Sequence, residues 1–282
     1  MTSVRSASGP GGRDLIVTGL PRSGTTLVAA LIDAAERCVC LSEPRRHVDL
    51  VAEAATAAGV VAALRDDFGS IRRRLAAGES VEDRRGDDGR PLDNYFGVPD
   101  STGRRQANWS VVQRQVPGFD ADWVLGVKHN ALFTSVLPEI VAAGHWTVLA
   151  VVRDPADAIA SWSSVDVPAR HGRLPGAERF WPALADLGGR SELPVLDRQI
   201  LIADRILARY RDCGVHVLRY EEVVADTGVL HRIPALMGRR LGSGFARPQP
   251  VRDAATGIRG RIAELHAAGA VDGIDFFYPI SS

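Results

Sequence analysis

Lysine is almost absent from this 282-residue chain: of 34 basic side chains only Lys128 is a lysine, and the rest are arginine. Cysteine is nearly as scarce, with three, too few for the framework of paired thiols that holds small secreted domains together. Cys38 and Cys40 lie two apart in an apolar run and read as core side chains, because no His or Cys flanks them at a zinc-ligand spacing. No apolar run approaches the ~18 residues needed to cross a bilayer, and the opening stretch MTSVRSASGPGG has no apolar centre of the kind found in a secretory signal or anchor. The expectation is a cytoplasmic protein with no membrane partner. Net charge is missing as well: 34 basic residues balance 34 acidic ones, so no global field draws the chain onto nucleic acid or anionic lipid. Any anion it binds must be held locally.

The composition, 45% hydrophobic and 24% charged, suits one large or two small globular domains. Short β-branched runs alternate with longer helical patterns, which predicts an α/β fold of three layers: a central, mostly parallel sheet of about five strands flanked by helices. The expected strands are 14–19, 38–42, 123–128, 146–152 and 215–219, most of them almost continuously apolar, as strands covered on both faces tend to be. The expected helices are 25–37, 48 to about 72, 132–143, 155–164, 196–211 and 258–268. Residues 78–118, rich in Gly, Asp, Arg and Pro with Tyr95, Phe96 and Trp109 spaced through them, read as one long functional loop or lid. A second polar segment, 168–194, carries Phe180 and Trp181. The chain reads as a flexible tail, 1–13, and a single domain, 14–282, with these two elaborated loops.

The strand DLIVTG runs straight into GLPRSGTT and then into the amphipathic LVAALIDAAER, the strand, glycine loop and helix order whose backbone N–H groups cradle phosphate oxygens. Gly19 and Gly24 have the spacing of a Walker loop, but the position of its lysine holds Thr25. A loop that transfers a γ-phosphoryl group relies on that lysine and on Mg²⁺. Here the positive charge sits at Arg22, whose planar fork suits a terminal phosphate or sulfate. Residues Pro21 to Thr26, PRSGTT, resemble the cofactor loop of the sulfotransferases that use 3′-phosphoadenosine 5′-phosphosulfate (PAPS). The resemblance implies a P-loop NTPase-like sulfotransferase fold, with Arg22, Ser23, Gly24, Thr25 and Thr26 binding the 5′-phosphosulfate.

Further elements follow in the expected order. In VLAVVRDPADAIASW, Arg153, Pro155 and Ser161 match the family's 3′-phosphate element, an arginine at a strand end, a proline two positions on and a serine eight positions on. The geometry is sensible in itself, because Pro155 suits a first helical turn and Ser161 follows about two turns later. In VHVLRYEEVV, Tyr220 is similar to the family's adenine-contacting tyrosine. Near the carboxyl end, Arg252 and Ile258-Arg259-Gly260-Arg261 stand where many members supply further basic contacts to the 3′-phosphate, and Arg259 is the residue this resemblance selects.

Sulfuryl transfer to oxygen needs a base for the acceptor hydroxyl, positive charge on the transferring group and a stabilised leaving phosphate. Lys128 closes the strand VLGVK, where an ammonium faces a ligand lying across the strand ends. Cytosolic members of the family carry Lys-Thr-His here; this chain has Lys128, His129, Asn130, so the histidine falls one place early. In a continued strand it points away from Lys128. The run LVAALIDAAERCVCLSEPRRH is closer to the tyrosylprotein sulfotransferases, and by that resemblance Glu43 is the base and Arg45 the arginine two positions beyond it. The resulting expectation is a metal-independent sulfotransferase acting on the hydroxyl of a small-molecule acceptor, with Glu43, Lys128 and Arg22 catalytic. Two alternatives stand beside it: a P-loop kinase or nucleotide hydrolase with a degenerate lysine, and a non-catalytic nucleotide-binding module.

Overall fold

The computed structural model describes residues 14–101, 103–116, 122–242 and 253–280; the expected tail, 1–13, and Arg252 lie outside them. The strands are β1 (Asp14–Gly19), β2 (Cys38–Ser42), β3 (Val81–Arg85), β4 (Phe96–Pro99), β5 (Arg105–Ala107), β6 (Ser110–Arg114), β7 (Val124–Lys128), β8 (Thr147–Val152) and β9 (His216–Arg219). The helices before β8 are α1 (Thr25–Asp33), α2 (Arg45–Glu53), α3 (Ala57–Ala76), α4 (Asn130–Ser135) and α5 (Leu137–Ala143). After β8 come α6 (Pro155–Ser163), α7 (Pro175–Glu178), α8 (Pro182–Gly189), α9 (Val195–Cys213), α10 (Tyr220–Ala225), α11 (Asp253–Ala267) and α12 (Gly273–Phe277).

Five strands form one parallel sheet in the order β2-β7-β1-β8-β9. Alternation along each strand sends side chains to opposite faces, and here both faces are dry. Ile16, Leu41, Val127 and Val152 join one apolar core, packed under helices that include α3, α5 and α9. Leu15, Val17, Cys40 and Val151 join a second, under α1 and α10. The result is the α/β, three-layer arrangement expected from the apolar runs.

The helices depart from expectation where local chemistry interrupts them. The helix expected over 48–72 is two, with Thr56 capping the second by accepting from the Gly59 amide at 3.1 Å. The helix expected over 132–143 divides at Val136, because Pro138 opens α5. Helix α1 stops at Asp33, short of Arg37, and the Asp33 carboxylate accepts instead from the Cys40 amide at 2.9 Å.

Residues 78–118 are not one open loop. Strand β3 pairs antiparallel with β6, and β4 with β5, so one short ribbon is nested in the connection of the other. The outer ribbon is fastened to the sheet by buried charges. Asp33 takes Arg85 and Arg114, each at 2.6 Å, while Asp83 takes Arg85 at 2.7 Å and the Ser42 amide at 2.8 Å. Removing one member of such a buried set leaves its partner's charge uncompensated. Asp33→Ala is therefore expected to lower the unfolding free energy by about 3 kcal/mol, measured as a lower urea midpoint at unchanged slope. A loss under about 1 kcal/mol would mean that the network does not fasten the ribbon.

Candidate active site

Because the five strands run parallel, their carboxyl ends share one edge, and a residue of interest follows each. In sheet order these are Glu43 after β2, Lys128 closing β7, the Gly19–Thr26 loop after β1, Arg153 after β8 and Tyr220 after β9.

The loop is shaped by its two glycines. A Cβ on Gly19 would lie 2.4 Å from the Val151 carbonyl oxygen, so only glycine lets β1 pass this close to β8. Gly24 has φ 90° and faces Tyr220, whose ring would lie 2.3 Å from an added Cβ. Ser23 is wholly buried; its hydroxyl donates to the Val151 carbonyl at 2.7 Å and its amide to Leu20 at 3.0 Å, so it spends its polar groups shaping the loop. Thr25, also buried, and half-buried Thr26 open α1, whose N-terminus has no side-chain cap. The N–H groups of that first turn have no intrahelical acceptors.

Arg22 adopts φ 66°, rare for a side chain other than glycine. Its Nε donates to Ser161 Oγ at 3.2 Å, joining residues 139 apart in sequence, and its Nη1 donates to Asn94 Oδ1 at 3.0 Å. Trp162, next to Ser161, donates its indole N–H to the Pro21 carbonyl at 2.8 Å. Helix α6 therefore grips the loop through two consecutive residues. Burial and then the neighbouring Arg105 and Arg153 push the Arg22 guanidinium down to about 10. Its hydrogen-bond partners are neutral, and among the described residues no carboxylate pairs with it. Arg153 lies over the Tyr220 ring at 4.9 Å and touches Asp157 only at 4.0 Å. Arg259 reaches the same neighbourhood but is spent on carboxylates, Asp157 at 2.8 Å and Asp154 at 3.2 Å, with 48% of its side chain exposed.

At the other end of the edge, Glu43 also has a left-handed backbone, φ 46°. Its Oε1 meets Lys128 Nζ and its Oε2 meets Arg84 Nη1, both at 2.5 Å. Burial opposes ionisation of this carboxyl, but Lys128, His129 and Arg84 overcome it and hold it at about 2. Lys128 is only 2% exposed and lies 4.6 Å from the Tyr95 ring centroid; the Tyr95 phenol, pushed up by burial, donates to Ser42 Oγ. Arg84 stacks on Trp109 at 4.2 Å. His129 does not share this pairing. Its Nδ1 accepts from the Leu132 amide at 3.3 Å and so caps α4, which leaves the ring proton on Nε2. Arg45 points to solvent, and Arg84 meets Glu43 in its place.

The residues missing from the sequence reading, Arg84, Asn94 and Arg105, all come from the 78–118 segment. Of the aromatic residues noted there, Tyr95, Phe96 and Trp109 each cover a cation of the site, Phe96 lying 4.9 Å from Arg22. Phe180 and Trp181 instead belong with the apolar core. Among the described residues no group of three or more His, Cys, Asp or Glu is placed to hold a metal ion, and no helix is long and apolar enough to cross a membrane.

No protein-family model matches the chain, and no curated protein matches it in sequence. Among solved structures it is similar to a sulfotransferase from Alicyclobacillus acidocaldarius, at 13% identity over 95% of this chain and 96% of that one, with a TM-score of 0.40.

Burial lowers His129 to about 3. A histidine held neutral in the fold but protonated in the unfolded chain costs nothing above its ordinary value and destabilises increasingly as the pH falls below it. Between pH 7.5 and 5 this amounts to about 2 kcal/mol of unfolding free energy. His129→Asn, which keeps an acceptor for the Leu132 amide, is expected to remove most of that loss in denaturant titrations at the two pH values. An unchanged pH dependence would place the histidine in contact with solvent.

Proposed function

We propose that this protein transfers the sulfuryl group of PAPS to the hydroxyl of a small-molecule acceptor and releases 3′-phosphoadenosine 5′-phosphate. The observation that carries the reading is the bond between Arg22 and Ser161. The two sequence elements that resemble the family's 5′-phosphosulfate and 3′-phosphate motifs lie far apart in the chain, yet they meet through it at 3.2 Å.

The residues present suit a nucleotide with two separate anionic groups. Arg105 and Arg153 lie close enough to Arg22 to disfavour its charge, and Arg22 has only neutral hydrogen-bond partners. A cluster of this kind is relieved by a bound anion. Arg22, Arg105 and the free amides opening α1 would take the 5′-phosphosulfate, Arg153 and Ser161 the 3′-phosphate, and the Tyr220 ring would lie against the adenosine. Ser23 supports the loop from within, and Arg259 acts through Asp154 and Asp157, which it neutralises beside Arg153.

When bound, PAPS supplies a sulfur electrophile whose bond to the bridging oxygen of the 5′-phosphate is the one that breaks. Glu43 would accept the proton of the acceptor's hydroxyl as the hydroxyl oxygen bonds to sulfur and the bridging oxygen leaves with the 5′-phosphate. Lys128 would neutralise negative charge growing on the transferring group and on the bridging oxygen. Two carboxylate oxygens held by two different cations keep Glu43 ionised at neutral pH, and Lys128 would be shared between base and leaving group when the donor is bound. His129 is occupied as a helix cap.

The test is transfer of label from ³⁵S-PAPS to a fractionated extract in excess EDTA. Lys128→Ala is expected to lower turnover by about a thousandfold, the worth of one charge at ~4 Å and an effective dielectric near 20. Glu43→Gln is expected to cost ~10²–10⁴-fold. Neither should weaken 3′-phosphoadenosine 5′-phosphate as strongly as Arg22→Ala does in calorimetry. A chain that binds this nucleotide only with Mg²⁺, or that transfers nothing to any fraction, is not such an enzyme.

A further inference from the structure

Three consecutive residues of β3 hold the segment that carries Glu43. Asp83 Oδ1 accepts from the Ser42 amide at 2.8 Å, Glu82 Oε1 from the Arg45 amide at 2.6 Å, and Arg84 Nη1 donates to Glu43 Oε2 at 2.5 Å. Alternation makes this possible: Val81, Asp83 and Arg85 face inward, while Glu82 and Arg84 lie on the other face. The clamp spans a residue, Glu43, whose φ of 46° costs energy for any side chain, and it is itself fastened to α1 by the Asp33–Arg85 and Asp33–Arg114 pairs.

Four groups of charge or titration face the carboxylate: Lys128 from β7, Arg84 from β3, His129 ahead of α4, and Tyr95 beside Ser42. His129 and Tyr95 are neutral near pH 7, the first lowered and the second raised by burial. Two cations remain, and they differ in what else they serve. Lys128 is the group the transferring sulfuryl draws towards itself. Arg84 is stacked against Trp109 and has no other anion among the described residues.

We propose that Arg84 is the positioning residue of the base: delivered by the β3–β6 ribbon, it fixes the orientation of the Glu43 carboxylate and keeps it ionised while Lys128 is engaged elsewhere. The inference rests on Glu43 being the base, and it adds a residue that lies in no motif of the sequence.

The experiment follows Glu43 directly, by ¹³C NMR of a chain labelled at glutamate Cδ, with the resonance assigned by its disappearance in Glu43→Gln. Wild type is expected to show no inflection for Glu43 down to the acid limit of the fold. In Arg84→Gln an inflection should appear, raised by ~1–3 pH units, the usual effect of one adjacent charge. Arg84→Met, which keeps the stem against Trp109 and removes only the charge, should give the same rise, and Arg84→Lys should restore most of the wild-type behaviour. If Arg84→Met folds with a wild-type melting curve and leaves Glu43 without an inflection, the proposal is overturned. Where transfer is measurable, the acid limb of kcat should move up with the NMR midpoint in Arg84→Met, while 3′-phosphoadenosine 5′-phosphate binds as before. The NMR readings need no donor or acceptor, so a chain that fails to transfer sulfuryl groups is told apart from one in which Arg84 does not hold Glu43.

Discussion

Everything at the site follows from one constraint, the common direction of five strands. A parallel sheet buried on both faces offers its carboxyl ends as one line of loops, and its strand order sets the order of chemistry along that line. Here the sequence of strands places a carboxylate at one end, an ammonium next, a glycine-shaped loop carrying Arg22 in the middle, and an arginine and a tyrosine beyond. No bend or domain movement is required to bring these groups together. The register that pairs Ser42 with Lys128 brings the ends of β2 and β7 level, and from there Lys128 Nζ reaches the Glu43 carboxylate.

The way positive charge is held at this edge is equally consistent. Lys128, Arg22, Arg84 and Arg153 each lie within 5 Å of an aromatic ring centroid, on Tyr95, Phe96, Trp109 and Tyr220 respectively. A ring face attracts a cation without neutralising it. Arg85 and Arg114, a short distance away in the ribbon, are locked to carboxylates, as Lys128 and Arg84 are to Glu43, whereas Arg22 is not. Neutralised charge fastens the ribbon and, in Lys128 and Arg84, orients the Glu43 carboxylate, whereas Arg22 has a ring face and neutral hydrogen-bond partners only.

The contrast also explains what was legible in the amino-acid sequence. Four of the five sheet strands stand out because a strand covered on both faces has no polar face to write, so each appears as an apolar run ending at a recognisable residue; the edge strand β9, HVLR, buries only Leu218. The loop and the Arg153–Ser161 element are local in sequence, and their spacing is readable for that reason. Strands β3, β5 and β6 are three to five residues long and read VEDRR, RQA and SVVQR. Such polar segments become strands only by pairing, β3 with β6 and β5 with β4, and by burying Arg85 between Asp33 and Asp83, which no periodicity announces. Arg84 and Arg105 were hidden with them, and so was the replacement of Arg45 by Arg84 beside Glu43. Arg259 illustrates the converse: a position read from resemblance whose charge is already committed to Asp154 and Asp157.

Among the described residues, three other than glycine hold a left-handed backbone, and two of them are Arg22 and Glu43. Glycine would occupy either position at less cost, because it has no Cβ to strain. The fold therefore keeps side chains where the backbone alone would prefer none. Selection of this protein for heat resistance alone would favour Arg22→Gly, which removes a guanidinium disfavoured by burial and by Arg105 and Arg153, whereas Glu43 is held against the same drift by the buried Lys128 that it neutralises.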